Sequence, residues 1–473
     1  FPDTDLLAVS SSGELAVLQG RRQRLGWMSS GTLARVPLSG GAPRPIAEDV
    51  QDADWSPDGK RIAVAFSRRR RIEYPVGTVL YETVGWISHV RVSPDGDRVA
   101  FLDHPAQGDD RGSVAFVDLA GKKTTLTREW SSEEGLAWSP AGDELWFASS
   151  AGAADRSLHA VNLSGKERLI ARMPGHVTLQ DIFRDGRVLL TYDSWRREMI
   201  GRPPGEARER NLSWLDWSFP TDLSDDGRLL LFMEQGSGAG PNGTIYLRGT
   251  DGAPAVRLGE GFPLDLSPDG RWVLSSPSMS RTQLVVLPTG AGEPKPLDLG
   301  GIQLGLQARW LSDGRRILFW GNQPGHRGQQ FFVLDPAGGP PRPVSQESVF
   351  GGTAPISPDG RVVASVGPDG RGKLYPVDGG TARGISGFVV GDLPVQWSSD
   401  GRSLYVLRRG ELPARVYRLD PSTGRRDLWK EFVPSDPDGI VDINPILITP
   451  DGNSYVYSYR RALSDLYLVE GLK

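Results

Sequence analysis

The chain has 473 residues, 59 of them glycine and 37 proline, and its 54 basic and 58 acidic side chains leave a formal charge of -4. So even a balance lacks the basic excess of a general nucleic-acid binder, and no nucleic-acid partner is expected. With no cysteine in the chain, disulfides, thiolate metal sites and cysteine nucleophiles are excluded, while export is permitted without being required.

Abundant glycine and proline among scattered aromatic and β-branched residues suit many short strands joined by tight turns. No run of about 18 apolar residues crosses the sequence, and it opens at Phe1-Pro2-Asp3 with neither an initiator Met nor a signal-peptide pattern. The sequence therefore reads as a soluble piece of something longer, with any membrane attachment carried by a segment outside it.

In chain order, a turn of the type Ser-Pro-Asp-Gly places its glycine at Gly13, Gly59, Gly96, Gly142, Gly186, Gly227, Gly270, Gly314, Gly360, Gly401 and Gly452. The mean spacing of about 44 residues is that of one propeller blade. Proline presets the first corner, aspartate can bond its own backbone, and glycine accepts the left-handed conformation that closes the turn. Four residues before each glycine the side chain is apolar: Val9, Trp55, Val92, Trp138, Ile182, Leu223, Leu266, Trp310, Ile356, Trp397 and Ile448. Three residues after it the same holds: Ala16, Ile62, Val99, Leu145, Leu189, Leu230, Val273, Ile317, Val363, Leu404 and Tyr455. Each marker thus predicts a hairpin with one buried face per strand.

Second hairpins follow, as at Leu33 to Ile46, Val114 to Gly121, Gln330 to Leu334 and Val416 to Asp420. The expected fold is all-β, a propeller of eleven four-stranded blades. Eleven exceeds the usual four to eight of one ring, so two tandem rings are expected, five blades over residues 1–212 and six over 213–473; one large ring is the alternative. The last repeat shows three strands, at 446–449, 455–459 and 466–469, and no fourth. Either Phe1 to Asp5 supplies it or it lies upstream.

Several local motifs read as plain loops. Arg68 to Arg71 is the one concentration of like charge and reads as a solvated hairpin tip. Asp103-His104 with Asp109-Asp110 lacks the alternating oxygen ligands of a calcium loop. His89, His104, His159, His176 and His326 are dispersed and form no helical pair, so no metal is expected unless the fold gathers them. Gly238 to Gly243 has dinucleotide spacing, but Pro241 intervenes and Thr244 to Leu247 reads as strand. Gly367 to Lys373 has phosphate-loop spacing, but Leu374 replaces the metal-binding hydroxyl and a strand follows. No Gly-x-Ser-x-Gly elbow occurs. Neither cofactor nor catalytic residue is expected.

Immediately before the first apolar column stands a polar position: Asp54, Arg91, Asp181, Asp222, Asp265, Arg309 and Gln396. Strand alternation turns these away from the buried column, toward the central channel lined by first strands. They are the candidate ligand-binding residues. Asp222, Asp265 and Arg309 are expected near one mouth, where replacing both aspartates by alanine would abolish binding and leave the fold intact. The competing reading is that the set only solvates a water-filled channel.

The phased Ser-Pro-Asp-Gly turn followed by a short apolar strand resembles the TolB-like propeller family over essentially the full chain. Tyr457 to Arg461 and Asp465 to Lys473, with Val50 to Trp55 and Gly301 to Leu306, are similar to the C-terminal region of bacterial serine/threonine protein kinases that carry a propeller behind a kinase domain and one membrane span. That resemblance implies an extracytoplasmic sensor. The chain has no kinase catalytic loop, Asp-Phe-Gly or lysine-bearing glycine loop, so no kinase residue is carried over. The expected function is therefore non-enzymatic binding of a protein or small polar ligand. The alternatives are a stand-alone periplasmic scaffold of an envelope complex and a lyase or hydrolase using the channel mouth.

Overall fold

The computed structural model describes residues 4–25, 28–150, 156–172, 175–236, 239–240, 242–277, 283–323, 328–349 and 353–472, and no helix occurs among them. The strands pair antiparallel, apart from a parallel contact of Ser132–Trp138 with His176–Ile182, and most of the sheets are four-stranded and ordered as consecutive hairpins. The architecture is an all-β propeller.

The marker turn is built as its residue types dictate. In Ser267-Pro268-Asp269-Gly270, the Gly270 N–H donates to the Ser267 carbonyl at 2.8 Å. The Ser267 hydroxyl donates to Asp269 Oδ1 at 2.6 Å and accepts from the Trp272 N–H at 2.9 Å, while Asp269 Oδ1 also accepts from the Arg271 N–H at 3.1 Å. The N–H groups of Gly270, Arg271 and Trp272 thus all have partners. All eleven marker glycines have φ between 65° and 85°, a region that side chains with a Cβ avoid.

The two apolar columns are buried in most repeats, with Trp397 4 % and Leu404 0 % exposed. Repeats one and five depart. There the turn closes one residue early, with Ser10 N–H bonding Glu14 O and Phe183 N–H bonding Arg187 O, where Ser56 N–H bonds Arg61 O. The shift pairs Val9 with Leu15 and Ile182 with Val188. Val9 is left 55 % exposed, and Val188 replaces Leu189 as the buried residue.

The chain divides into two compact units, residues 1–195 with 463–473, and residues 196–462. In the first unit, buried clusters join sheets in series: Ala16 and Leu33 with Val64, Ala65 with Phe101, Leu102 with Phe147, and Trp146 with Leu190. Strand Arg44–Trp55 serves two repeats, pairing first with Met28–Pro37 and then with Ile62–Phe66. Within it Asp49 has φ 64°. In the second unit the clusters form a closed circuit. Leu231 packs with Val273, Leu274 with Ile317, Leu318 with Val363, Ala364 with Leu404, Tyr405 with Tyr455, and Val456 with Phe232. Each sheet buries both faces and the last returns to the first.

That closure differs from the expectation for the last repeat. Ile440–Ile448 and Tyr455–Val469 are followed in their sheet by Val188–Arg202, whose far end pairs with Arg210–Asn211. Residues 196–211 therefore complete the final repeat, so the second unit starts at residue 196 instead of 213. Thr4–Val9 pairs within its own sheet, with Glu14–Leu25, and residues 1–3 lie outside the described residues. The third strand read at 466–469 is the end of Tyr455–Val469 and belongs to the first unit. There Val469 and Leu472 pack on the Val177–Leu190 cluster, and Ser464 donates to Asp193 Oδ1 at 2.6 Å.

Candidate ligand-binding site

Within the second unit a cavity of about 450 Å³ opens where the marker turns converge. Its rim is the second residue of six turns: Asp225, Pro268, Ser312, Pro358, Ser399 and Pro450. Each comes from a different sheet of that unit. Below the rim lie the ends of the first strands, bringing in Asp222, Asp265, Arg309 and Gln396 together with Trp310, Ile356 and Trp397. Four of the seven candidate residues thus share one mouth. Asp54, Arg91 and Asp181 belong to the first unit and are not part of it.

The aspartates here do more than solvate a channel. Asp222 Oδ2 accepts the Leu266 N–H at 2.9 Å, and Asp265 Oδ2 accepts the Trp310 N–H at 2.7 Å, in each case a donor on the next sheet. A bulge precedes each one, where the register shifts between Pro220 and Asp222 and between Pro263 and Asp265. Such an extra residue re-aims the side chains beside it, here toward the neighbouring strand. The two carboxylates are only 15 % and 9 % exposed. The expectation that both could be removed without harm to the fold is therefore corrected, because removal would leave buried N–H groups unpaired.

The same device appears in the first unit. Asp54 Oδ2 accepts the Val92 N–H at 2.7 Å, and Asp52 Oδ2 the Val90 N–H at 2.9 Å. Burial pushes Asp54 up to about 6 despite the opposing charge of Arg91. Arg91 lies 3.7 Å from Asp52 and donates to the Val90 carbonyl. Asp181 accepts from its own neighbour, the Ile182 N–H, at 2.8 Å, and Gln396 likewise accepts from the Trp397 N–H at 2.9 Å.

At the mouth, Arg309 bridges the two buried aspartates, with Nη2 3.6 Å from Asp222 Oδ1 and Nε 3.4 Å from Asp265 Oδ1. These are ion pairs longer than good hydrogen bonds. Burial raises both carboxyls, and Asp265 is raised well above the usual range because Asp222 adds a second negative charge beside it. Burial and the neighbouring Asp222 carboxyl both favour the protonated form of Asp265.

Sequence reasoning missed Asp225. It occupies the turn position filled by Pro268, Pro358 and Pro450 elsewhere on the rim, while Asp226 makes the turn's bonds to Ser224 and to the Arg228 N–H. Asp225 faces solvent, and crowding by protein raises its carboxyl. The signal was legible as a second acidic residue in Ser224-Asp225-Asp226-Gly227, the marker turn whose Pro position is acidic. Trp310 contributes an indole whose Nε1 is shielded and has no hydrogen-bond partner among the described residues.

The remaining motifs are absorbed by the fold. Gly367 and Gly370 close a hairpin turn between Val362–Val366 and Gly372–Pro376, and the Lys373 ammonium pairs with Glu347 at 2.8 Å. Of the Gly238 to Gly243 motif, residues 238 and 241 lie outside the described residues, and Thr244–Gly249 is a strand as read. Arg69 and Arg71 stack on Phe66, Arg68 faces Asp49 and Arg70 donates to the Val84 carbonyl. Asp103 pairs with Lys123 and Asp109 with Arg111, and Asp110 accepts from Ser132. Ser88 Oγ lies 2.7 Å from His104 Nε2 and 2.9 Å from His89 Nδ1. His104 Nδ1 donates to the Arg111 carbonyl at 2.9 Å. Burial holds His104 at about 4, hence neutral. No group of three His, Asp or Glu side chains suited to a metal occurs among the described residues, and His326 lies outside them.

No protein-family model and no curated protein matches the sequence. Similar solved structures include a protein of Agrobacterium tumefaciens described as TolB, 19 % identical with a TM-score of 0.42, covering 57 % of this chain and 99 % of that one. TolB of Acinetobacter baumannii is 16 % identical with a TM-score of 0.27, covering 78 % and 82 %. An oligogalacturonate lyase of Vibrio parahaemolyticus is 16 % identical with a TM-score of 0.35, covering 59 % and 75 %. Likeness at this level transfers no residue role to the chain.

Proposed function

We propose that the chain is a non-enzymatic binding propeller whose second unit receives a protein segment or small polar ligand at the mouth ringed by Asp225, Pro268, Ser312, Pro358, Ser399 and Pro450. The observation that carries this reading is the convergence of six turns and four polar first-strand ends on one cavity. A concave site with a few oriented polar groups is the usual form of a ligand pocket. The resemblance of its C-terminal segments to kinase sensor regions supports an extracytoplasmic sensor of a bacterial serine/threonine kinase, with a stand-alone periplasmic scaffold as the alternative. Filling the mouth with Ser312→Trp and Ser399→Trp should abolish ligand binding in calorimetry while leaving the unfolding midpoint within a few degrees. Undiminished binding by the filled variant would exclude the mouth.

A second reading, hydrolysis or elimination at the same place, rests on Asp222 and Asp265 lining one cavity with Arg309 between them, since paired carboxyls are the usual means of acid–base work. Turnover of a bound sugar or peptide by wild-type protein, lost in Asp265→Asn, would establish it.

A further inference from the structure

The chemistry of the rim specifies what kind of group the mouth admits. Four carboxyls line it, Asp222, Asp225, Asp265 and Asp451, against the single guanidinium of Arg309. Three of the four are occupied by the fold. Asp222 and Asp265 hold backbone N–H groups of the next sheets. Asp451 accepts from the Thr449 hydroxyl at 2.5 Å and from the Asn453 N–H at 2.9 Å.

Asp225 does no such work. Its turn is closed by Ser224 and Asp226, and sister turns with proline at the same place close identically, as at Ser267 to Gly270. Among the described residues no hydrogen bond or ion pair engages it. It stands as an uncommitted carboxylate on a concave rim, beside an arginine already drawn inward to two other carboxylates. The walls add the indole of Trp310, and an aromatic face attracts a cation that approaches it. An anionic ligand would meet repulsion from this set.

We propose, resting on the reading that this mouth is the ligand site, that the admitted group is an organic cation, a primary ammonium or guanidinium carried by a peptide, with Asp225 as its counter-charge. The arrangement suits such a group because the buried aspartates fix the shape of the mouth while Asp225 keeps both oxygens free to accept its N–H donors, and charge-assisted bonds of that kind are the stronger class.

The test uses the full chain and two pairs of probes in calorimetry at low salt: triglycine amide with its N-acetylated twin, and N-acetyl-Gly-Arg-Gly amide with its citrulline analogue. At least one cationic probe should bind about tenfold or more tightly than its neutral twin, and Asp225→Asn should erase that difference. Asp225→Pro, which installs the residue of the sister turns, should erase it too while keeping the wild-type unfolding midpoint. Equal binding of charged and neutral twins, wild-type binding by both Asp225 variants, or no saturable binding of either cation at millimolar concentration would each overturn the inference. The filled mouth of Ser312→Trp with Ser399→Trp separates the two ideas. If filling abolishes binding that is indifferent to charge, only the cation inference fails; if the cation binds the filled variant as before, the mouth itself is wrong.

Discussion

Asp222 reaches from its own sheet to the backbone of Leu266 on the next, its Oδ2 accepting that N–H at 2.9 Å. The contact makes the residue before the apolar column a fastener between neighbouring sheets. Asp222→Ala should therefore lower stability by about 2 kcal/mol, the cost of a buried donor left unpaired. Asp222→Asn keeps an acceptor oxygen and should lose less than half as much. Urea unfolding of both variants decides it, and an alanine variant as stable as wild type would return Asp222 to a solvating role.

Gly270 has φ of 70° and an added Cβ would lie 3.2 Å from Leu229 Cδ1, whereas Gly314 has φ of 65° and nothing within 4 Å. Gly314→Val should cost more than about 1 kcal/mol from backbone strain alone. Gly270→Val should cost more than that, because the Leu229 side chain must also yield. Equal unfolding midpoints for wild type and both variants would contradict the turn geometry.

His104 is held neutral by burial, at about 4, against about 6.5 in an unfolded chain. Between those values the unfolded state binds a proton that the folded state refuses, so stability rises with pH across the window and is lost as pH falls through it. The contribution is roughly 3 kcal/mol at most. His104→Gln, whatever its stability at pH 7, should flatten the fall in unfolding free energy between pH 6.5 and 4.5. The buried aspartates act in the opposite sense: Asp54, raised to about 6, is protonated more readily folded than unfolded and loses stability as pH rises from about 4 to 6. A slope unchanged in the His104 variant would count against the assignment.

A fragment of residues 196–462 should unfold in one cooperative transition, and a fragment of residues 213–462 should not. The shorter one lacks Met199 and Leu212, which pack with Leu230, Phe232 and Val456, and lacks the strands that complete the last sheet. Identical thermal transitions for the two would show that residues 196–212 are dispensable for closure.

The turns were legible because each is specified within six residues by types whose conformational preferences are strong, as Ser267 to Trp272 shows. Closure was not, because Arg197 to Arg202 continues Val188–Arg202 without a break, and its pairing with Tyr455–Val469 depends on residues some 250 positions away that leave no local mark. The candidate site was half legible. Position alone placed Asp222, Asp265, Arg309 and Gln396 together, but whether a carboxylate is spent on a neighbouring backbone N–H or left free depends on a bulge and a second sheet. That is why Asp222 was misjudged as expendable and Asp225 passed unnoticed.

The hydrogen bond between Ser464 and Asp193 joins the strand that leaves the first unit to the strand that comes back. Everything between, residues 196–462, is inserted at that one place. The chain is thus organised as host and guest instead of beads on a string: the first unit is interrupted and later resumed, while the second lies wholly inside the interruption. Domains whose ends lie close together are the kind tolerated as insertions, and Arg197 donates to the Asn444 carbonyl at 2.6 Å within the guest's own closing sheet. The host's last strand can be delivered only after the guest has been synthesised, so completion of the first unit waits on the second.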